Sequence, residues 1–388
     1  MREARKSPII INAWEGEMKK IFLAAVIVCL AFSVPVSGGG GKIAVSPEVM
    51  KLHKDAIVAD LHADTQFLVT YEGYDMSKRH RTVDWGYAGV IPLFSDIDIP
   101  RLREGGVDLF AMAICPAPKD NRRPGAESFT KRSLAAIEKT IVKNPRDLAI
   151  ARSPGEAREI IASGKIAVLV ALEGGQGINN NLDNLREYYQ RGVRYMTLTH
   201  SNNLDWATSA GKESKANFKG LTEFGKQVVR EMVKMGMMID LSHASPDTFW
   251  ATLETTHCPV IVTHAAARGM GDHHRNLSDA QIKAIASRGG VVGVIYFCKY
   301  LDPTRQKPCT VGLVADHIDY IKKLAGVDVI ALGSDWDGNV TVPKDLSDAS
   351  KLPNLTAELV RRGYSDQEIK NILGENFLRA WASIQACR

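Results

Sequence analysis

Little in this sequence is extreme, and each shortage removes a class of protein. Aromatic residues make up only 7% of the 388 residues and mean hydropathy is −0.12, which argues against a chain crossing a bilayer many times. Charge of one sign is also scarce. Lys and Arg number 49 against 44 Asp and Glu, a net of +5, of which +2 lies in residues 1–37. The remainder is too small for a nucleic-acid-binding surface. Hydrophobic residues at 45%, charged at 24%, 32 Gly and 16 Pro without a repeat exclude wholesale disorder, collagen and coiled coil. No glycine-rich phosphate cradle is found, and the six cysteines contain no CxxC pair, so a zinc–thiolate site is not expected.

The longest apolar stretch is Ile21–Val36, 16 uncharged residues, short of the ~20 a spanning helix needs and broken near its end by Pro35. Lys19 and Lys20 precede it, and small residues up to Gly41 follow. A basic head, a short apolar centre and a small-residue exit predict a secretory signal peptide, with residues 1–37 as signal and leader and 38–388 as one catalytic domain. An uncleaved membrane anchor is the alternative. No second apolar run closes the chain, so a carboxy-terminal lipid anchor is not expected. Export allows disulfides; Cys298 and Cys309 flank a Pro-containing loop that a bridge could close, but spacing alone does not establish the pairing.

Short apolar or β-branched runs recur at 56–61, 107–114, 166–172, 194–198, 237–241, 260–263, 291–296 and 329–332. Most are continuously apolar, as strands buried on both faces must be. Helical patterns with start signals lie between them. Ser153 with Glu156, Ser278 with Gln281 and Ser365 with Glu368 fit the capping box, and the pattern from Leu221 to Met235 stops at Gly236. Eight strand–helix units predict an α/β fold, a closed TIM (β/α)8 barrel of the metal-dependent hydrolase type.

Titratable residues collect where these strands end. His62 and Asp64 follow the first, Glu173 the third, His200 the fourth, His243 the fifth, His264 the sixth and Asp335 the eighth. In such a barrel the carboxyl ends of the strands form the active-site face. A lone histidine there is more often structural than a ligand. Four histidines and three carboxylates at six exits make that account improbable. His62 and Asp64, two apart, share a face of their strand. Imidazole and carboxylate suit zinc, with manganese, cobalt and iron as alternatives. His243 and His264 could converge on a second ion, with Glu173 placed to bridge the two. Paired ions ~3.5–4 Å apart can share a hydroxide as nucleophile.

DLHADT at 60–65, LEGG at 172–175, LTHSNN at 198–203, DLSHAS at 240–245 and VTHAAAR at 262–268 resemble the membrane (renal) dipeptidase family. So do HRN at 274–276, GSDWDG at 333–338 and GENFLR at 374–379. The resemblance runs in order over about residues 55 to 380. It implies hydrolysis of dipeptides at a two-zinc site in an amidohydrolase-like barrel, and members of the family are often homodimers. By matching motif, His62 and Asp64 would bind one Zn2+, His243 and His264 the other, and Glu173 would bridge them. His200 would contact the substrate carbonyl, Arg275 the substrate carboxylate, and Asp335 would be the catalytic acid that shuttles the proton. On spacing alone Arg275 would be a solvated surface residue; the HRN match makes it a carboxylate clamp. Asn202 stands where mammalian relatives carry a disulfide cysteine, so their bridges are not transferred. His53, His80, His257, His273, His274 and His317 are expected to be surface or structural, and Asp337 to organise its loop. The competing function is another binuclear barrel hydrolase, acting on a lactone, an N-acyl amino acid or a phosphotriester; a lactone or phosphotriester would give Arg275 no purpose.

Overall fold

The computed structural model describes residues 45–70, 74–80, 95–116 and 125–387. The expected signal and leader, residues 1–37, lie outside them, as does part of the stretch between the first two strands. No described helix is long and apolar enough to cross a membrane.

Nine strands are found among the described residues: β1 Ala59–Ala63, β2 Leu109–Ile114, β3 Leu148–Ile150, β4 Ile166–Glu173, β5 Val193–Thr197, β6 Met238–Asp240, β7 Ile261–Ala265, β8 Val291–Val294 and β9 Ile330–Leu332. All pair in parallel. Because β2 pairs with both β1 and β4, and β1 also pairs with β9, eight of them close into a ring, the TIM barrel expected. β3 stands outside it. It pairs with Ile166–Val168 at the start of β4, on the edge that β5 takes over from Val170 onward. All eight ring strands are buried along their whole length, which is why their sequences run apolar without alternation.

The helices start where the caps stand. The reciprocal capping box forms at Ser278 with Gln281 and at Ser365 with Glu368. At Ser153 only half forms: its hydroxyl accepts from Glu156 N–H, while the Glu156 carboxylate accepts from Arg152 N–H at 2.7 Å. Thr222 caps helix Glu223–Met235, and Gly236 ends it at φ 70°, a left-handed turn suited to glycine. Two disulfides are present among the described residues. Cys258–Cys387 ties the approach to β7 to the end of helix Asn376–Ala386, and Cys298–Cys309 closes a short loop after β8. Cys115, at the exit of β2, is free and buried.

Candidate metal centre and active site

The strand exits converge on one carboxylate oxygen. Glu173 Oε1, at the end of β4, lies 3.1 Å from His243 Nε2, 3.4 Å from His264 Nε2, 3.5 Å from His62 Nε2 and 4.0 Å from His200 Nε2. Asp335 Oδ1 is 4.0 Å from His62 Nε2. Asp64 joins His62 and Asp335 in a group whose ligand atoms lie within 4.8 Å of one another, and His62, Glu173 and His264 form a second such group. The structure therefore brings seven of the eight residues singled out from sequence into one cluster, and the eighth, Arg275, packs against it. All are buried except His200, which is partly exposed at the mouth. A cavity of about 710 Å³ opens beside His200, lined also by Gln176, Asn179, Asn180 and Asp205.

Local backbone irregularity aims these side chains. Pairing register shifts between Asp60 and Ala63 in β1 and between Val262 and Ala265 in β7, around His62 and His264; such bulges re-aim a strand's side chains at its end. His243 and Asp335 adopt left-handed backbone, φ 62° and 65°, a conformation that stores strain and concentrates at functional sites.

Beneath this layer lies one that the sequence reading did not assign. Asp240, at the end of β6, accepts from Ser242 N–H, Ser242 Oγ and Thr263 N–H on one oxygen, and from the Thr197 and Thr263 hydroxyls on the other. Asp60 accepts from Ser334 N–H and Oγ and from His62 N–H, locking β1 to β9. The Tyr195 hydroxyl lies 3.0 Å from His62 Nδ1, and Thr263 Oγ1 lies 2.9 Å from His264 Nδ1, so each ring has its far nitrogen engaged and Nε2 turned inward. A signal existed: Asp60 and Asp240 are carboxylates standing two and three residues ahead of His62 and His243 at the ends of apolar runs.

The other histidines behave as expected. His53 and His317 are buried and bonded at both nitrogens to neighbouring loops and helices, and His273, His274 and His80 stack on rings. Asp337 accepts from Thr65 Oγ1 and Asp96 N–H, organising the loop after β9.

Electrostatically the cluster is short of positive charge. Burial, then the neighbouring Glu173, push the Asp64 carboxyl well above its ordinary range. Burial likewise lifts Asp335 to about 7, against the pull of His62 and with the push of Glu173. Burial opposes a charge on His62, yet Glu173, Asp64 and Asp335 raise it to about 10. His243 and His264 are driven well below the usual imidazole value, by burial first and by neighbouring cations second. Arg275 is buried, its Nε has no hydrogen-bond partner, and among the described residues no carboxylate forms an ion pair with it. Its guanidinium lies over the Tyr300 ring at 5.5 Å, and Nη2 reaches His264 O at 3.5 Å.

Residues 47–388 match the family model described as membrane dipeptidase, peptidase family M19. The chain belongs to the membrane dipeptidase family. Many solved structures share its fold, among them three named as dipeptidases or metallopeptidases. The probable dipeptidase PvdM of Pseudomonas aeruginosa is 23% identical, with TM-score 0.75 over 89% of this chain and 99% of that one. The metallopeptidase named dipeptidase AC is 25% identical, with TM-score 0.73 over 84% and 99%. A metallopeptidase from Rhodobacter sphaeroides, solved with a phosphinate mimic of the dipeptide L-Ala-D-Ala, is 24% identical, with TM-score 0.73 over 85% and 99%.

A membrane dipeptidase of this kind is a metallopeptidase, and the residues present suit metal ions. His62 Nε2 and Asp64 Oδ1 are buried with no hydrogen-bond partner, and His243 Nε2 and His264 Nε2 face each other at 3.0 Å beside a carboxylate oxygen. Inward-facing imidazoles, two of them (His62 and His264) with their outer nitrogens engaged, among carboxylates that repel one another, form a set of donors suited to cations.

Proposed function

We propose that this protein is an exported zinc dipeptidase. His62 and Asp64 would hold one ion, His243 and His264 a second, with Glu173 between them. The chemistry that bound divalent ions supply there is Lewis acidity and a water acidic enough to attack a carbonyl at neutral pH. The chain's own residues do the rest. Arg275 fixes the carboxylate of the dipeptide. His200, its imidazole pushed below the ordinary value by desolvation, donates from Nε2 to the carbonyl oxygen as charge develops on it, a contribution of ~3–4 kcal/mol in comparable sites. Asp335 takes a proton from the attacking water at Oδ1 and returns it to the leaving amine.

The observation that carries this reading is Arg275. A buried guanidinium beside a cluster of imidazoles and carboxylates, with no carboxylate of its own, favours a substrate that brings one. A lactonase or phosphotriesterase gives that charge no purpose. The test compares free dipeptides with their carboxamides. The free form should react at least ~10-fold better, and Arg275→Lys should abolish most of that preference, since Lys lacks the planar fork. Equal rates for free and amidated dipeptides would favour the competing hydrolase. Export is checked separately: mass spectrometry of the protein recovered from its native host should find an amino terminus between Ala31 and Lys42, and an intact Met1 or Met18 would count against cleavage.

A further inference from the structure

Arg275 sits in a loop, residues 266–277, between β7 and helix Asp279–Ser287. The base of the loop closes on itself through Arg268 N–H to Leu277 O at 2.8 Å and Leu277 N–H to Ala266 O at 2.9 Å. Its tip rests on another segment, 297–303. The Asn276 amide donates to Tyr300 O and to Gly271 O, at 2.7 Å each. The His273 ring packs at a tilt against Tyr300, centroids 4.5 Å apart, and the guanidinium of Arg275 lies over that same ring. Gly271 packs so closely that a Cβ there would come within 2.6 Å of Pro303 Cδ. His317 fastens the two from below: its Nδ1 accepts Ala267 N–H at 3.2 Å, which leaves Nε2–H to donate to Leu301 O at 2.9 Å.

Apart from the bridge, that supporting segment is held by Asp302, which accepts from Thr304 N–H and Oγ1 and from Lys307 N–H, and by Cys298 N–H, which donates to Thr341 O at 2.8 Å. Its helix, Cys298–Leu301, is four residues long, far below the length at which a helix is stable alone, and the residues that follow, Thr304 to Pro308, are exposed. The bridge from Cys298 to Cys309 closes this stretch, joining the head of the short helix to the chain just before helix Val311–Ala325.

We propose that the Cys298–Cys309 bridge positions Arg275: it holds the Tyr300 shelf on which the Arg275 loop is seated and so sets how well a substrate carboxylate is bound. The inference rests on Arg275 being the carboxylate clamp. Cross-linking removes open arrangements of the closed stretch. Without it the shelf and the loop can part, and a misplaced guanidinium weakens binding of the carboxylate while the strand exits, anchored in the barrel, stay put.

The test uses the full chain with Cys298→Ser and Cys309→Ser together, and two readouts. Hydrogen exchange at the amides of 268–277 needs no substrate; it should speed up in the variant while the β-strand amides stay protected. KM for a free dipeptide should rise about tenfold with kcat within about twofold and metal content unchanged, and the preference over the carboxamide should shrink in step. Unchanged exchange in 268–277, or unchanged KM with only a lower melting temperature, overturns the proposal and leaves the bridge a general brace. If the double variant does not fold, the wild type treated with a phosphine reductant replaces it, with Cys258→Ser/Cys387→Ser as the control for the other bridge. A wild type indifferent to amidation would overturn the carboxylate assignment itself, and the exchange readout would still decide whether the bridge holds the loop.

Discussion

Asp335 is placed by its backbone before its side chain does anything. Its N–H donates to His62 O at 3.0 Å, its φ is 65°, and a Cβ on Gly338 would come within 2.9 Å of its Oδ1, so glycine there leaves room for the carboxylate. In the metal-free chain burial lifts it to about 7, against the pull of His62. Asp335→Asn should keep the fold and most of the bound metal while lowering kcat by ~100-fold or more. Wild-type turnover with metal fully bound would show that the proton takes another route. His243→Ala should do the reverse, losing metal content along with activity, as read by elemental analysis. Side chains of this kind were legible because each stands at the end of an apolar run. Arg275 was legible only through the HRN resemblance, since nothing in a basic loop says that burial awaits it. Asp240 and Tyr195 were not assigned, because acting through another residue leaves no chemical signature of its own in the sequence.

At the level of elements, the eight runs read as strands all became strands of the ring, with ends differing by a few residues. The ninth, β3, was missed for a physical reason. Leu148–Ile150 is three residues long, sits between helix Ala126–Lys143 and the Ser153 cap, and exists only because β5 leaves the start of β4 unpaired. Pairing that depends on a vacancy elsewhere has no local pattern. The lead-ins of β1 and β2 offer a test far from the chemistry. Asp108 accepts Val58 N–H at 2.9 Å while Asp108 N–H donates to Val58 O, joining the two strands at their amino ends. Burial raises the Asp108 carboxyl to about 6, more than its bond to Val58 and the charge of Arg103 lower it. A carboxyl raised on folding binds its proton more tightly in the folded chain, so stability is lost as pH climbs from about 4 to about 6. Asp108→Asn keeps an acceptor for Val58 and removes that loss. It should raise stability by ~1–3 kcal/mol at pH 8, with the gain vanishing near pH 4 and kcat unchanged, as followed by denaturant melts across pH. A variant less stable than wild type at pH 8 would mean that the charge on Asp108 is needed.

For the molecule as a whole, the same barrel that gathers the exits also gathers their charge, and that ties stability to metal. In the metal-free chain Asp64 and Asp335 are raised carboxyls and His62 a raised imidazole. Each prefers to hold a proton in the folded state. Ionising Asp335 as pH rises from about 4 to about 7, ionising the raised Asp64, and stripping His62 on the way to about 10 each withdraw stability. Below about pH 6.5 the lowered Glu173, His243 and His264 pull the other way, so the loss in metal-free protein should show above about pH 7, as His62 gives up its proton. Metal-loaded protein should gain stability as pH rises through the acid range, because ligands must give up protons to bind and affinity falls as pH falls. The gap between the two states should be small near pH 5 and widen toward pH 8. Ligation of the folded state alone at a thousandfold excess over Kd contributes ~4 kcal/mol, on the order of 5–10 °C in melting temperature. The measurement is a pair of thermal melts, chelated and zinc-replenished, at several pH values, with activity assayed alongside. Chelation should abolish activity at every pH and zinc should restore both activity and the pH 8 increment. Glu173→Gln, which removes the shared charge, should shrink that increment. If chelated and replenished protein melt together at pH 8, these buried carboxylates are balanced by something other than a cation, and the metal centre is wrongly placed.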